Sequence, residues 1–358
     1  MNKKLKDIAK ILIKHSVRVK KWEKVFIETQ DSESADFVSY LHKEAIKAGA
    51  KRIRIWWNPV EIQENIFKYG KLEQSKSLLK WVEEEIKDSH SYIKIKSGKE
   101  IPTRDGEHVI EYQKRLRPLV NLYAHSEIKR VAFYYPGKNM AKRIWMSTEK
   151  TLEITYKACN IDYKETEKWN RKLKELMEKT DQVRLIGKGT DISFSIKEIA
   201  TISSHGRRNM PDGEVFTAPV KKSVNGKILF DIPTHFHGIT FSSIRLVIKN
   251  WKIITAKSSN KEKNKIIDKL LNWHPHNRYL WEFAIGTNSH IKKPLKLTIF
   301  DEKLMWTIHF AIGKCYKMAS NGNDNGTIHW DVIKNMKLAG SEIYFDNVLI
   351  FKNGKILI

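Results

Sequence analysis

Residues 24–57, KVFIETQDSESADFVSYLHKEAIKAGAKRIRIWW, decide the fold of the amino-terminal half. Lys24-Val-Phe-Ile-Glu-Thr is short, apolar and rich in strand-forming side chains, so it predicts a strand. Ser32 and Ser34 then offer N-caps for a helix over 35–48, which Gly49 ends. Arg52-Ile-Arg-Ile-Trp-Trp alternates charged and apolar residues, the period of a second strand. Strand, helix and strand in one short stretch form the βαβ signature of a mostly parallel sheet. The segment after the first strand, Ile27-Glu-Thr-Gln-Asp-Ser-Glu-Ser, lacks glycine altogether. A dinucleotide fold fingerprint is therefore not implied.

The same texture extends outward. Residues 4–19 read as an amphipathic helix with Leu5, Ile8, Ala9, Leu12 and Ile13 on one face. Strand candidates follow in Leu119-Val-Asn-Leu-Tyr-Ala and in Ile128-Lys-Arg-Val-Ala-Phe-Tyr-Tyr, and 161–180 reads as a helix. After Asp181 the pattern changes to short strands broken by Gly, Asn, Pro and Thr. These are VRLIGKGTDISFSI, KILFDIP, IRLVIKNWKIITA, KLTIFD and EIYFDNVLIFKNGKILI, with one helix over about 258–272. Asn-Gly pairs at 225–226 and 353–354 suit two-residue hairpin turns. The expected architecture is an α/β amino-terminal domain with a mostly parallel sheet, 1–180, followed by a β-rich α+β domain, 181–358.

A chain of 358 residues exceeds one typical domain. Its 41% apolar content is ample for two cores. No apolar run approaches the roughly 20 residues that cross a bilayer, and the charged amino terminus contains no signal-peptide core. The only cysteines are Cys159 and Cys315, which argues for a reducing cytoplasm rather than a disulfide framework. The net charge of +25 raises the question of nucleic acid. However, residues 1–180 carry 39 basic and 26 acidic side chains, and residues 181–358 carry 27 and 15. The excess is spread evenly, without an arm, stripe or arginine-rich tail. A solvated lysine-rich surface is therefore expected rather than a nucleic-acid site.

The carboxyl-terminal half concentrates six side chains of a kind that binds hard-to-borderline divalent ions: Glu214, Glu282, Glu302, His309, His329 and Asp331. Glu282 lies in Tyr279-Leu-Trp-Glu-Phe-Ala-Ile, where a buried carboxylate is costly unless a cation or several donors stabilise it. An ion pair with Arg278 is the alternative. His329 and Asp331 flank Trp330, so on a strand both face one side while the indole packs behind. His309 sits in Trp306-Thr-Ile-His-Phe-Ala-Ile, and a lone histidine there is also readable as a satisfied core residue. Glu214 follows the turn Pro211-Asp-Gly, where surface carboxylates are common, and Glu302 is also readable as a solvated strand end. No compact HExxH or CxxC motif is present.

In GTDISFSI (189–196), NMPDGEVFTAP (209–219), EFAIGTN (282–288), FDEK with TIHFAIG (300–313) and IHWD (328–331), the chain closely resembles the thermophilic-type metalloaminopeptidases. The resemblance is strong over half of the chain and looser before it, where it rests on the helix at 4–19 and on KWEKVFIET. It implies metal ligation by Glu214, Glu282, His309, His329 and Asp331. Glu302 joins them by an alignment that needs a short gap, and Tyr316 lies at the site, seven residues after His309. Met305-Trp306 and His235-Phe-His-Gly-Ile-Thr-Phe depart from the family pattern and bear on substrate preference. His205, His235 and His237 have no fixed spacing to the set and read as incidental.

What the resemblance implies is hydrolysis of the amino-terminal bond of short peptides by a homodimer with two divalent ions per chain, Zn, Co, Mn or Mg. Glu282 and Asp331 would bridge the ions, with Glu214 and His309 completing one and His329 the other. Such a pair lowers the pKa of a water and polarises a carbonyl. Tyr316 would donate a hydrogen bond to the developing oxyanion. The competing readings are another dinuclear metallohydrolase, an amidase or phosphoesterase, and a non-enzymatic basic nucleic-acid-binding protein.

Overall fold

The computed structural model describes residues 2–99, 128–322 and 326–357, together with Glu107, Ile110, Glu111 and Arg115. The strand expected over 119–124 lies outside the described residues. The chain divides into two compact units. One comprises Met1–Pro102, Glu111–Asp162 and His205–Asp212; the other comprises Thr103–Ile110, Tyr163–Ser204 and Gly213–Ile358.

The first unit is built on five parallel strands. Their spatial order is Arg52–Trp57, Lys24–Thr29, Ser91–Lys96, Lys129–Tyr134 and Asn209–Met210. Helix Ala35–Lys47 connects the first βαβ pair, as residues 24–57 predicted. Val25, Phe26, Ile27, Ile93, Ile95, Val131 and Phe133 are all buried, the near-continuous apolar content of strands covered on both faces. Arg52–Trp57 is an edge strand, which is why its alternation leaves Ile55 and Trp57 exposed. Ser34 holds the N-cap position but does not cap with its side chain. Its hydroxyl donates instead to the Asp31 carbonyl at 2.8 Å. Helix Asn2–Ile11 continues into a π-helical turn, Leu12–Ser16, and its expected face is fully buried.

The second unit packs two antiparallel sheets face to face. The larger has eight strands. The smaller has five, in the order His329–Asn335, Thr307–Gly313, Leu280–Gly286, Glu214–Thr217 and Ile202–Ser204. The core between them includes Phe194 of the larger sheet, 5.0 Å from Phe283 and 5.4 Å from Phe310 between ring centroids. Four hairpin turns place both central residues at positive φ: His237-Gly238, Asn250-Trp251, Asp346-Asn347 and Asn353-Gly354. Such primed turns match the twist of the flanking strands.

Two local expectations fail. Asn225-Gly226 is not a hairpin turn; it opens strand Asn225–Phe230. Glycine is required there because a Cβ would lie 2.2 Å from the Asp191 carbonyl oxygen. KLTIFD is not a strand either. Lys296 turns the chain at φ 60, and Asp301 accepts hydrogen bonds from Leu295 N at 2.6 Å and Leu297 N at 3.2 Å. That carboxylate folds the segment back into the short helix Thr298–Asp301. Among the described residues, no helix is long and apolar enough to cross a membrane.

Candidate metal centre

The five-stranded sheet has one face for packing and one for chemistry, because successive side chains on a strand point oppositely. Trp281, Phe283, Ile285, Ile308, Phe310, Ile312, Trp330 and Val332 belong to the core face. Glu282, His309 and Asp331 project from the other. Register sets the pattern: Glu282 pairs with Ala311, Ala311 with Asp331, Ala284 with His309, and Gly313 with His329. On the other flank Gly286 pairs with Glu214. On one flank, Glu214, Glu282, His309, His329 and Asp331 therefore each face Ala or Gly on the neighbouring strand, which leaves space on that side. Gly313 has a second constraint, since at φ 108 a Cβ would lie 2.1 Å from the Ile328 carbonyl oxygen.

The structure brings all six candidate ligands together. Three overlapping triads each place one donor atom per residue within 4.8 Å of the others: Glu214–Glu282–His309, Glu282–His329–Asp331 and Glu302–His309–Asp331. His309 Nε2 lies 3.3 Å from Glu282 Oε1 and 3.6 Å from Glu214 Oε2. His329 Nε2 lies 3.3 Å from Asp331 Oδ1 and 3.7 Å from Glu282 Oε2. Glu282 thus faces both imidazoles. The ion pair with Arg278 is not formed; that guanidinium bonds Asn272 Oδ1 and the Ile253 carbonyl. Glu302 is 7% exposed, so it is no solvated strand end.

Supporting contacts fix the set. His329 Nδ1 donates to the Lys314 carbonyl at 2.9 Å, which leaves Nε2 as the ligating nitrogen. Thr234 Oγ1 donates to the Asp331 carbonyl at 2.7 Å. Asn170, fully buried on helix Tyr163–Lys179, donates to the Ser204 and Glu214 carbonyls at 3.1 and 3.2 Å. The Tyr316 ring packs against Phe216 and His329, with its centroid 4.9 Å from the imidazole. His235 bonds Thr240 Oγ1, His205 packs on His15, and the triads include neither.

One residue escaped the sequence reading. Lys303 is 2% exposed, and its ammonium pairs with Glu214 Oε1 and with Glu302 Oε1, the latter at 2.9 Å. Its only signal was adjacency to Asp301-Glu302.

The electrostatics call for cations. Burial disfavours protonated imidazoles, yet Glu282 and Glu214 hold His309 charged up to about 9. Burial opposes the charge on His329 likewise, and Asp331 and Glu282 lift it to about 9. Asp331 is buried as well, but His329 beside it pulls its carboxyl down to about 2. Burial raises the Glu302 carboxyl despite Lys303, and Asp331 adds to that rise. Burial and then the Glu282 and Asp331 charges push the Tyr316 phenol well above its usual range. Four clustered carboxylates draw positive charge onto Lys303 and both imidazoles, a demand that divalent ions would meet once His309 and His329 serve as neutral ligands. Among the described residues, Glu282 Oε2 and His309 Nδ1 also have no hydrogen-bond partner. The donor set of carboxylates and imidazoles fits Zn, Mn or Co.

A β-sandwich face that gathers these donors marks a metal-dependent enzyme, and comparison with known proteins gives its family. The chain belongs to the thermophilic metalloprotease family M29, which matches residues 1–356. It is 22% identical to aminopeptidase AmpS of Bacillus subtilis (strain 168), with 99% of this chain and 98% of that protein covered. It is 21% identical to aminopeptidase PepS of Streptococcus thermophilus, covering 96% and 91%. Its fold matches wild-type AmpT from Thermus thermophilus with a TM-score of 0.78, at 17% identity and full coverage of both chains. A 2,5-dihydroxypyridine dioxygenase from Pseudomonas putida KT2440 shares the fold at a TM-score of 0.59 and 13% identity, covering 100% and 98%. The fold alone therefore does not fix the chemistry. The family, the α/β plus β-rich architecture and the hydrolase class expected from the sequence are borne out.

Proposed function

We propose that this chain is an aminopeptidase that removes the amino-terminal residue of short peptides at a two-ion site within 181–358. The observation that carries the reading is the shared position of Glu282. Its two carboxylate oxygens face His309 and His329 at 3.3 and 3.7 Å, and it belongs to two of the three ligand triads. Glu214 and His309 would complete one ion position, and His329 the other. Asp331 would serve both positions alongside Glu282, and Glu302 would offer a further oxygen on the His309 side. Divalent ions held here supply Lewis acidity for a water and for the scissile carbonyl.

The chain's own groups do the rest. A carboxylate oxygen of the set not engaged by an ion carries the proton of the attacking water to the departing amine. The Tyr316 hydroxyl, kept protonated by its surroundings, donates to the developing oxyanion, an interaction worth ~3 kcal/mol when well placed. The free amine of the substrate meets the acidic cluster, which favours exopeptidase over endopeptidase action. Two copies of the chain form the working cytoplasmic enzyme, so light scattering will give about twice the 42.0 kDa chain mass.

The test uses protein stripped with chelator and resupplied with Co, Zn or Mn. The reading expects metal-restored release from leucyl and other aminoacyl chromogenic substrates, and none from their N-acetylated counterparts. Metal-dependent cleavage of phosphate esters or blocked amides alone would reassign the site to a phosphoesterase or amidase. Salt-sensitive binding to nucleic acid, without turnover, would favour the basic binding protein.

A further inference from the structure

Lys303 stands inside the ligand set, where a flexible cation would ordinarily be expelled to solvent. Its side chain is 2% exposed, and its ammonium takes one oxygen from each of two candidate ligands, Glu214 Oε1 and Glu302 Oε1. The other oxygen of Glu214 faces His309 at 3.6 Å. Glu214 and Glu302 enter the triads only together with His309, whereas the third triad is Glu282, His329 and Asp331. The ammonium therefore claims carboxylate charge on the His309 side of the cluster.

We infer that Lys303 is a built-in cation that makes the two ion positions unequal. The position formed by Glu282, His329 and Asp331 binds its ion tightly. The position on His309, which must draw on Glu214 or Glu302, binds its ion weakly and exchanges it. The cause is twofold. Lys303 already neutralises part of the charge those carboxylates offer, and an ammonium repels a divalent ion placed on the same carboxylates. Lys303 also confines each of them to one remaining oxygen, so neither can ligate in a bidentate manner. This inference rests on reading the cluster as a metal centre and adds the assignment of unequal affinity.

The experiment counts ions. Full-length protein, stripped with chelator, is titrated with Co(II) by calorimetry, and the ions retained after gel filtration are measured by mass spectrometry. Wild type is expected to retain one ion per chain and to bind a second at least ~10-fold more weakly, because one ammonium on the same carboxylates repels it. Lys303→Met and Lys303→Gln are both expected to tighten the second ion ~10-fold or more while the first stays unchanged, because removing the ammonium leaves buried carboxylates in need of a cation. Retention of the first ion reports that each variant has folded. Two ions of equal affinity in wild type would overturn the inference, as would variants whose second ion is no tighter. A wild type that binds no divalent ion would instead overturn the metal-centre reading itself.

Discussion

Substituting Glu282 by Gln changes one oxygen to nitrogen without changing volume, so the packing of Trp281 and Phe283 behind it stays intact. The effect falls on both ion positions, because the carboxylate oxygens face His309 at 3.3 Å and His329 at 3.7 Å. Supporting residues behind a metal ligand already cost 10–100-fold in affinity when changed, so loss of a shared ligand is expected to cost ~100-fold or more. A ligand at 100 times its dissociation constant stabilises the folded state by ~2.7 kcal/mol, and at its dissociation constant by only ~0.4 kcal/mol. E282Q should therefore forfeit ~2.3 kcal/mol of ion-dependent stability at an ion concentration that nearly saturates wild type. For a unit of this size that is a difference of about 5–9 °C in the ion-induced shift of Tm. Calorimetric melts with and without Co or Zn, on both proteins, read it directly. An E282Q variant whose melting point rises with the ion as far as that of wild type would refute the reasoning.

Other expectations follow from single contacts. Tyr316→Phe should lower kcat ~100-fold with KM and ion affinity nearly unchanged, since only a transition-state hydrogen bond is lost; steady-state kinetics and calorimetry check this. Asn170→Ala removes the donor to the Ser204 and Glu214 carbonyls and should destabilise by ~1–3 kcal/mol in urea unfolding, at about 0.5–1.5 kcal/mol for each of the two hydrogen bonds lost. Phe283→Ala, at a fully buried position packed on Phe194 and Phe310, should cost ~3–5 kcal/mol by the same measurement. Gly313→Ala must relieve a contact of 2.1 Å with the Ile328 carbonyl. It should therefore weaken ion binding through His329, whose strand pairs with Gly313, as calorimetric titration will report.

Legibility in the sequence followed the cost of burial. Glu282 stood out because a carboxylate in an apolar strand needs a stated reason. His329 and Asp331 stood out because a two-residue spacing on a strand puts both on one face. The βαβ reading of residues 24–57 held because its strand and helix periods agree with each other. Lys303 was hidden because lysine beside acidic residues ordinarily marks a solvated surface. KLTIFD was misread because a strand-like composition was overridden by Asp301 bonding back to Leu295 and Leu297. Asn225-Gly226 was misread because its glycine serves the close approach of Asp191, while Asn250-Trp251 and Asp346-Asn347 supplied turns without a glycine. Tertiary contacts of this kind carry no local signature.

The most direct test is anomalous diffraction from crystals of this protein grown with cobalt or zinc. The account predicts anomalous peaks flanking Glu282, between its carboxylate and the Nε2 atoms of His309 and His329, with Asp331 among the ligands. Crystals whose ions bind elsewhere, with these side chains left uncoordinated, would contradict it.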